Sequence, residues 1–244
     1  MRHFQRRYLT NLRAAQLIQE RRSSTVTPAR LGDLSATRVI ASTLGVFAGM
    51  SGLDHGFFEV LQGNVATPGT VVQSIGPGQR MWVYGTEEAI TLVPNFLVTG
   101  ILAMTVAVLL IVWSVGFIDR KRGSTVFALL GALLFLVGGG AAMVMIVMIG
   151  WVVSTRIGSP SKRLGRLAIS RALAKRWPAL LVAMVVLYLI ALEIAIVGFV
   201  PGVSDPDQAR YICWSSLAMM LVLLVLAIAG GRASDIDRAG TSKQ

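Results

Sequence analysis

Five apolar runs, at about residues 39–61, 91–118, 124–153, 179–200 and 212–231, leave this chain few folds to choose from. A helix needs about 20 apolar residues to cross the hydrocarbon core of a bilayer. Four of the runs fit one crossing each. The third is about thirty residues long and is interrupted by Gly138, Gly139 and Gly140. It must cross once with surplus length or turn back at the glycines.

The distribution of charge decides between these. Only 14% of the 244 residues are charged, against 54% hydrophobic, yet 23 Lys and Arg outnumber 12 Asp and Glu, a net charge of +11. Soluble chains carry about 25% charged residues. A nucleic-acid binder can be this basic but not this apolar, so no nucleic-acid partner is expected. The same numbers exclude a disordered tail, a collagen and a disulfide-stapled secreted domain. The single cysteine, Cys213, allows no intrachain disulfide and reads as a small apolar packing residue.

Of the 23 bases, 21 lie in four places: residues 1–38, Arg120–Arg122, Arg156–Arg176 and the segment after 231. The linkers 62–90 and 201–211 carry only Arg80 and Arg210. Cytoplasmic loops collect Lys and Arg. A hairpin over 124–153 puts all four basic segments in the cytoplasm, whereas a single crossing would put 154–177 outside. The expected fold is therefore an all-α integral membrane protein of about six helices. Its third and fourth form a short hairpin turning at Gly138–Gly140, and both termini are cytoplasmic. Trp113, Trp151 and Trp177 then fall at the inner boundary and Trp82 and Trp214 at the outer one, as interfacial belts require. Each hairpin arm has only about 15 residues, roughly 23 Å, so the pair can be partly re-entrant.

The chain divides into a cytoplasmic segment 1–38, a membrane domain 39–231 and a disordered cytoplasmic tail 232–244. Residues 2–22 read as a basic amphipathic helix able to lie on anionic lipid, and Ser23–Thr37 as a linker. The first 38 residues lack the apolar core of a signal peptide, so the first apolar run is expected to act as the insertion signal. The basic loop 154–177 reads as a second, short amphipathic helix. Pro178 and Pro201 are expected to mark the two ends of the fifth membrane helix.

Ionisable groups inside a bilayer are costly and mark candidate sites. The first helix ends GLDHGFFEVLQGN (Gly52–Asn64), with His55, Glu59 and Gln62 on one helical face. Gly45, Gly49, Gly52 and Gly56 form an adjacent packing stripe that lets another helix approach closely. The second helix is expected to begin within YGTEEAITLVPNFLVTG (Tyr84–Gly100), with Pro94 bending it and Asn95 embedded as an amide. Glu193 is an isolated acid in the fifth helix. His55, Asn95 and Glu193 would all lie roughly 6–10 Å below the outer surface at 1.5 Å per residue. Asp54, Glu59, Gln62, Glu87 and Glu88 would crown them. The apolar residues of the loop over 62–86 are expected to form either a lid over this group or an interfacial connector.

An outward-facing acidic cluster with one imidazole suits binding a cation or amine, relaying protons, or holding one divalent metal. A single histidine makes a tight zinc site doubtful. The competing reading is that these groups only hydrogen-bond helices together. No cofactor and no catalytic residue is assigned. Gly49-Met50-Ser51-Gly52 resembles the segment around rhomboid serines, and Glu87-Glu88 resembles the paired glutamates of intramembrane CAAX-type proteases. The other motifs of both families are missing. No H-E-x-x-H, Walker or dinucleotide pattern occurs.

The Gly52–Asn64 and Tyr84–Gly100 segments together resemble a group of multi-pass membrane proteins of bacteria and archaea, over about residues 38–157. That resemblance implies architecture and no activity. The group has prolines soon after its glycine turn, where this chain has Ala141, Ala142 and Met143, so the second arm is expected to be straighter. The expected function is a small transporter or a solute- or ion-binding protein of the cell membrane, in contact with anionic lipid. The alternatives are a lipid-acting enzyme of the outer leaflet, with Glu59 and His55 as acid–base pair, and a structural or regulatory subunit. Another copy of the chain or a membrane complex is an admissible partner.

Overall fold

The computed structural model describes residues 34–159 and 168–241; the expected amphipathic helix over 2–22 lies outside them. Six helices occur among these residues: α1 (Ala36–Leu61), α2 (Phe96–Gly116), α3 (Gly123–Leu136), α4 (Met143–Ser154), α5 (Ala168–Val197) and α6 (Pro206–Thr241). A short antiparallel ribbon, β1 (Val71–Gln73) with β2 (Glu88–Ile90), lies between α1 and α2, with Val72 opposite Ala89. Four helices, α1, α2, α5 and α6, are long and apolar enough to cross a membrane. The thirty-residue apolar run is two short helices, as the charge distribution demanded. With 14 and 12 residues, each spans roughly 20 Å and falls short of the hydrocarbon thickness.

α1 is the central helix and packs on α2, α4 and α6. Its glycines make this possible. A Cβ on Gly45 would sit 2.0 Å from Ser114 Oγ, and one on Gly49 2.3 Å from Ile111 Cγ1. Gly52 leaves room for Leu134, and Gly56 faces Gly100 so closely that a Cβ would come 2.7 Å from its carbonyl oxygen. The four glycines thus lie where α1 meets α2 and α3, with side chains filling the rest of the seam. Ile40, Leu44, Leu110, Phe127, Leu134, Met143 and Met184 complete the core. Phe47 stacks on Tyr188 at 4.0 Å between ring centroids, and the Tyr188 hydroxyl donates to the Phe47 carbonyl, which joins α5 to α1.

Three boundaries depart from the sequence expectation. The second membrane helix begins at Phe96, not within 84–94. Pro94 disfavours helix in the residue before it, and Asn95 is the N-cap, its Oδ1 accepting from Val98 N at 3.2 Å. Asn95 is therefore a cap, not an embedded amide, and Pro94 precedes the helix it was expected to bend. At the fifth helix, Pro178 lies inside α5 and not at its start. The helix extends before the proline because it packs on α6 there: Gly230 lies so close to Leu173 that a Cβ would be 2.5 Å from its carbonyl oxygen.

The third departure is the expected tail over 232–244, since α6 continues to Thr241. Asp235 explains the order. Its carboxylate accepts from Ala36 N at 2.7 Å, from Thr37 N at 2.9 Å and from Thr37 Oγ1 at 2.7 Å. The first turn of α1 thereby gains an acceptor for two of its free N–H groups and a negative charge at the positive end of its dipole. Arg38 pairs with Asp119 at 3.1 Å close by. Because successive helices run in opposite directions, the basic groups of the described residues gather at this end of the bundle, except Arg80 and Arg210. The ribbon and most of the remaining acids lie at the other end.

Candidate functional site

The acidic end is organised by the 137–142 turn between α3 and α4. Gly138 and Gly140 have φ values of +97° and +92°, a left-handed backbone that a side chain would strain. The turn pairs with β2 and its extension: Gly138 N donates to Ile90 O at 3.0 Å, Ala141 N to Glu88 O at 3.1 Å, and Leu92 N to Leu136 O at 2.9 Å. Thr99 Oγ1 donates to Val137 O at 2.7 Å and fixes the same turn to α2. Backbone polar groups that would otherwise be buried unpaired are satisfied this way.

Beneath the turn lie two side chains of α1. A Cβ on Gly138 would meet Glu59 Oε2 at 2.5 Å, and one on Gly140 would meet His55 Nε2 at 2.4 Å. The glycines therefore do more than reverse the chain: they let its backbone rest on a carboxyl and an imidazole one helical turn apart. Glu59 is fully buried and His55 is 4% exposed. Glu59 Oε1 accepts from Ser74 Oγ at 3.2 Å, and Oε2 has no hydrogen-bond partner among the described residues.

His55 Nδ1 lies 2.7 Å from the Ser51 carbonyl and must donate to it, because a carbonyl oxygen can only accept. That leaves Nε2 to face Glu87 Oε2, 2.7 Å away. Glu87 lies on the loop leading into β2. Burial pushes its carboxyl up, but the hydrogen bond and the charge of His55 outweigh this and hold it below the usual glutamate range. An imidazole held this way is an oriented link between the helix core and the surface loop.

On the far side, Glu87 lines a cavity of about 570 Å³, within the range of small-molecule sites. Glu88, Trp82, Tyr84, Trp214, Cys213 and Arg210 share its wall. Trp82 is fixed by its indole N–H, which donates to Ala195 O at 2.9 Å at the end of α5. The Arg210 guanidinium lies 4.3 Å from the Tyr84 ring centroid and pairs with Asp207 at 3.1 Å. The Tyr84 hydroxyl donates to the same Asp207 carboxylate at 2.6 Å. That bond holds the proton on the phenol and pushes its pKa up. The cavity thus joins aromatic faces to carboxylates, a combination that attracts cations.

His55, Glu59, Glu87 and Glu88 come together at one end of the bundle. Gln62 stands beside them as a strut: its Nε2 donates to the carbonyls of Gln73 at 3.0 Å and Ser74 at 2.7 Å, holding β1 over the end of α1. Two expected members are not brought in. Asn95 is occupied as a helix cap and with Asn64, and Glu193 lies on the exposed face of α5, off the cavity wall. The sequence reading missed Ser74, Arg210, Tyr84 and the two glycines as parts of the site. Arg210, one of only two bases in the linkers 62–90 and 201–211, was the available signal. The expected lid residues Val72 and Ile75 are buried, so the ribbon is part of the structure that closes this end. No group of three His, Cys, Asp or Glu able to hold a metal occurs among the described residues.

Compared with family models, with curated proteins and with solved structures, the chain matches none of them.

Proposed function

We propose that the chain is a multi-pass protein of the cell membrane, a small transporter or solute-binding protein, that takes a small organic cation at its acidic end. The observation that carries this reading is the Glu87 carboxylate, shared between the cavity and the buried His55. A cation entering the cavity meets Glu87 and Glu88 beside Trp82 and Trp214, and any movement of Glu87 alters the charge partner of a buried imidazole. That is a physical link between binding outside and the state of the helix core. On this reading the basic end of the bundle faces the cytoplasm, with anionic lipid beside it, and the acidic end faces out. The α3–α4 pair then completes six membrane helices with both termini inside.

Binding is tested by thermal stabilisation of the detergent-purified protein with choline, putrescine and guanidinium, and with acetate as the opposite-charge control. At least one cation should raise the melting temperature, and Glu88→Gln or Trp214→Ala should abolish the rise while leaving the unliganded melt in place. A protein indifferent to all the cations, or equally stabilised in the Glu88→Gln variant, refutes the reading.

A second reading, a lipid-acting enzyme, is favoured by one feature: Trp214 belongs to the cavity wall yet is 65% exposed on the surface of an apolar helix. A lipid headgroup could then reach the Glu87–His55 pair sideways. Turnover of a lipid in vesicles, lost in His55→Ala, would select it.

A further inference from the structure

We propose that Glu59 is an occluded proton site, separate from the cavity, sealed by the Gly138–Gly140 turn. The proposal rests on geometry. Glu59 is fully buried, Ser74 supplies one donor to Oε1, and Oε2 has none among the described residues. A buried charge without a full set of partners is too costly to keep, and the group neutralises instead. A proton is the occupant that fits: the carboxyl is fully buried, and on the turn side Gly138 lies so close that a Cβ there would come 2.5 Å from Oε2. A metal ion would need several more oxygens around it than Glu59 and Ser74 supply.

The charged and titratable neighbours are few. On its own helix Glu59 has His55 one turn away and Asp54 beyond it. From the loop before β2 comes Glu87, which is occupied by His55. β1 contributes only the neutral Ser74, and the turn contributes glycine backbone. One cation, His55, is therefore shared by the nearby carboxylates, and its contact is with Glu87.

The seal has a handle. The turn is bonded to β2, and β2 begins at Glu88, on the cavity wall. A ligand that displaces Glu88 pulls on the strand that holds the turn over Glu59. This coupling rests on the cavity reading above; the proton site itself does not.

The test uses the full-length protein in liposomes at mildly acidic pH, without added solute, and difference infrared spectroscopy of protonated carboxyl groups. Glu59→Gln should remove one protonated-carboxyl band per chain. Ser74→Ala, which deletes the donor to Oε1 and leaves the helices intact, should keep that band and shift its frequency. If the band survives Glu59→Gln the proton is not on Glu59, and if the folded Ser74→Ala variant leaves it unmoved the carboxyl is not held in this sealed geometry; either result overturns the proposal.

Occlusion is read from the rate at which deuterium replaces the proton. Gly138→Ala places a side chain in left-handed backbone and should speed the replacement about tenfold. A rate equal to that of the wild type would show that the turn is not the seal. Because no ligand is present in any of these measurements, their failure leaves the cation test untouched, and the reverse holds too.

Discussion

The two halves of the bundle solve the membrane problem differently. In the most apolar stretch of α1, 56% of residues are buried against the rest of the chain, whereas in α5 and in α6 the share is 28%. One face of α1 is covered by the other helices and the 137–142 turn, so it can carry His55 and Glu59 away from lipid, while Phe57 and Leu61 on another face stay exposed. α5 and α6 pack on each other, turn Val182, Val186, Val222 and Val225 outward, and keep the stretches 177–192 and 211–231 free of Asp, Glu, Lys and Arg. The difference teaches that burial inside protein, not hydropathy alone, decides where this chain can keep chemistry.

The comparison is broken most severely at Gly56. Alanine there drives a Cβ against the Gly100 carbonyl, which is backbone and cannot rotate away. Overpacking of this kind costs about 1–3 kcal/mol, and a lower unfolding midpoint in detergent would register it. Gly116→Ala, with nothing within 4 Å of its Cβ, should do the opposite and stabilise α2 by up to about 1 kcal/mol. Equal effects at the two positions would mean that the α1–α2 seam is not tightly packed.

Asp235→Ala comes next. It strips three hydrogen bonds from the start of α1 and should cost about 1–2 kcal/mol, the scale of a lost helix cap. Faster amide exchange at Ala36 and Thr37 should accompany the loss. An unchanged exchange rate would show that α1 does not depend on α6 for its cap.

The acid limb of the stability profile tests the Glu87–His55 contact. Glu87 has a folded pKa below its ordinary value of 4.5, so its contribution is complete above that value and disappears as pH falls through the lowered one. The wild-type melting temperature should therefore drop as pH falls below 4.5, and Glu87→Gln should flatten that drop. A variant with the same acid limb would place the titration elsewhere. Smallest of all is Val225→Ala on the outer face of α6, expected within about 0.5 kcal/mol because lipid replaces the lost contacts.

Much of this architecture was legible in the sequence, for identifiable reasons. The apolar runs and the placement of Lys and Arg follow from the solvent alone, and they led to six helices and to the reversal at Gly138. His55 and Glu59 were legible as a pair because i, i+4 spacing puts them on one face. The partners of that pair were not. Ser74 and Glu87 reach it through a ribbon whose pairing has no local signature, and the glycine triplet reads from sequence as a turn and nothing more. Glu193 shows the converse. An acid in an apolar helix looks like a site from sequence, but which way it faces depends on how α5 sits against α6. The tail was misread because a cap supplied to α1 from residue 235 is a contact across almost the whole chain.

That cap also bears on assembly. Ser35 caps Arg38 N locally, but Ala36 N and Thr37 N have their side-chain acceptor only once residue 235 has been made and α6 is in place. The last helix thereby acts as a completion signal for the first. Chains halted before it would carry an unfinished amino end on their central helix, a defect that quality control could recognise without inspecting anything in between.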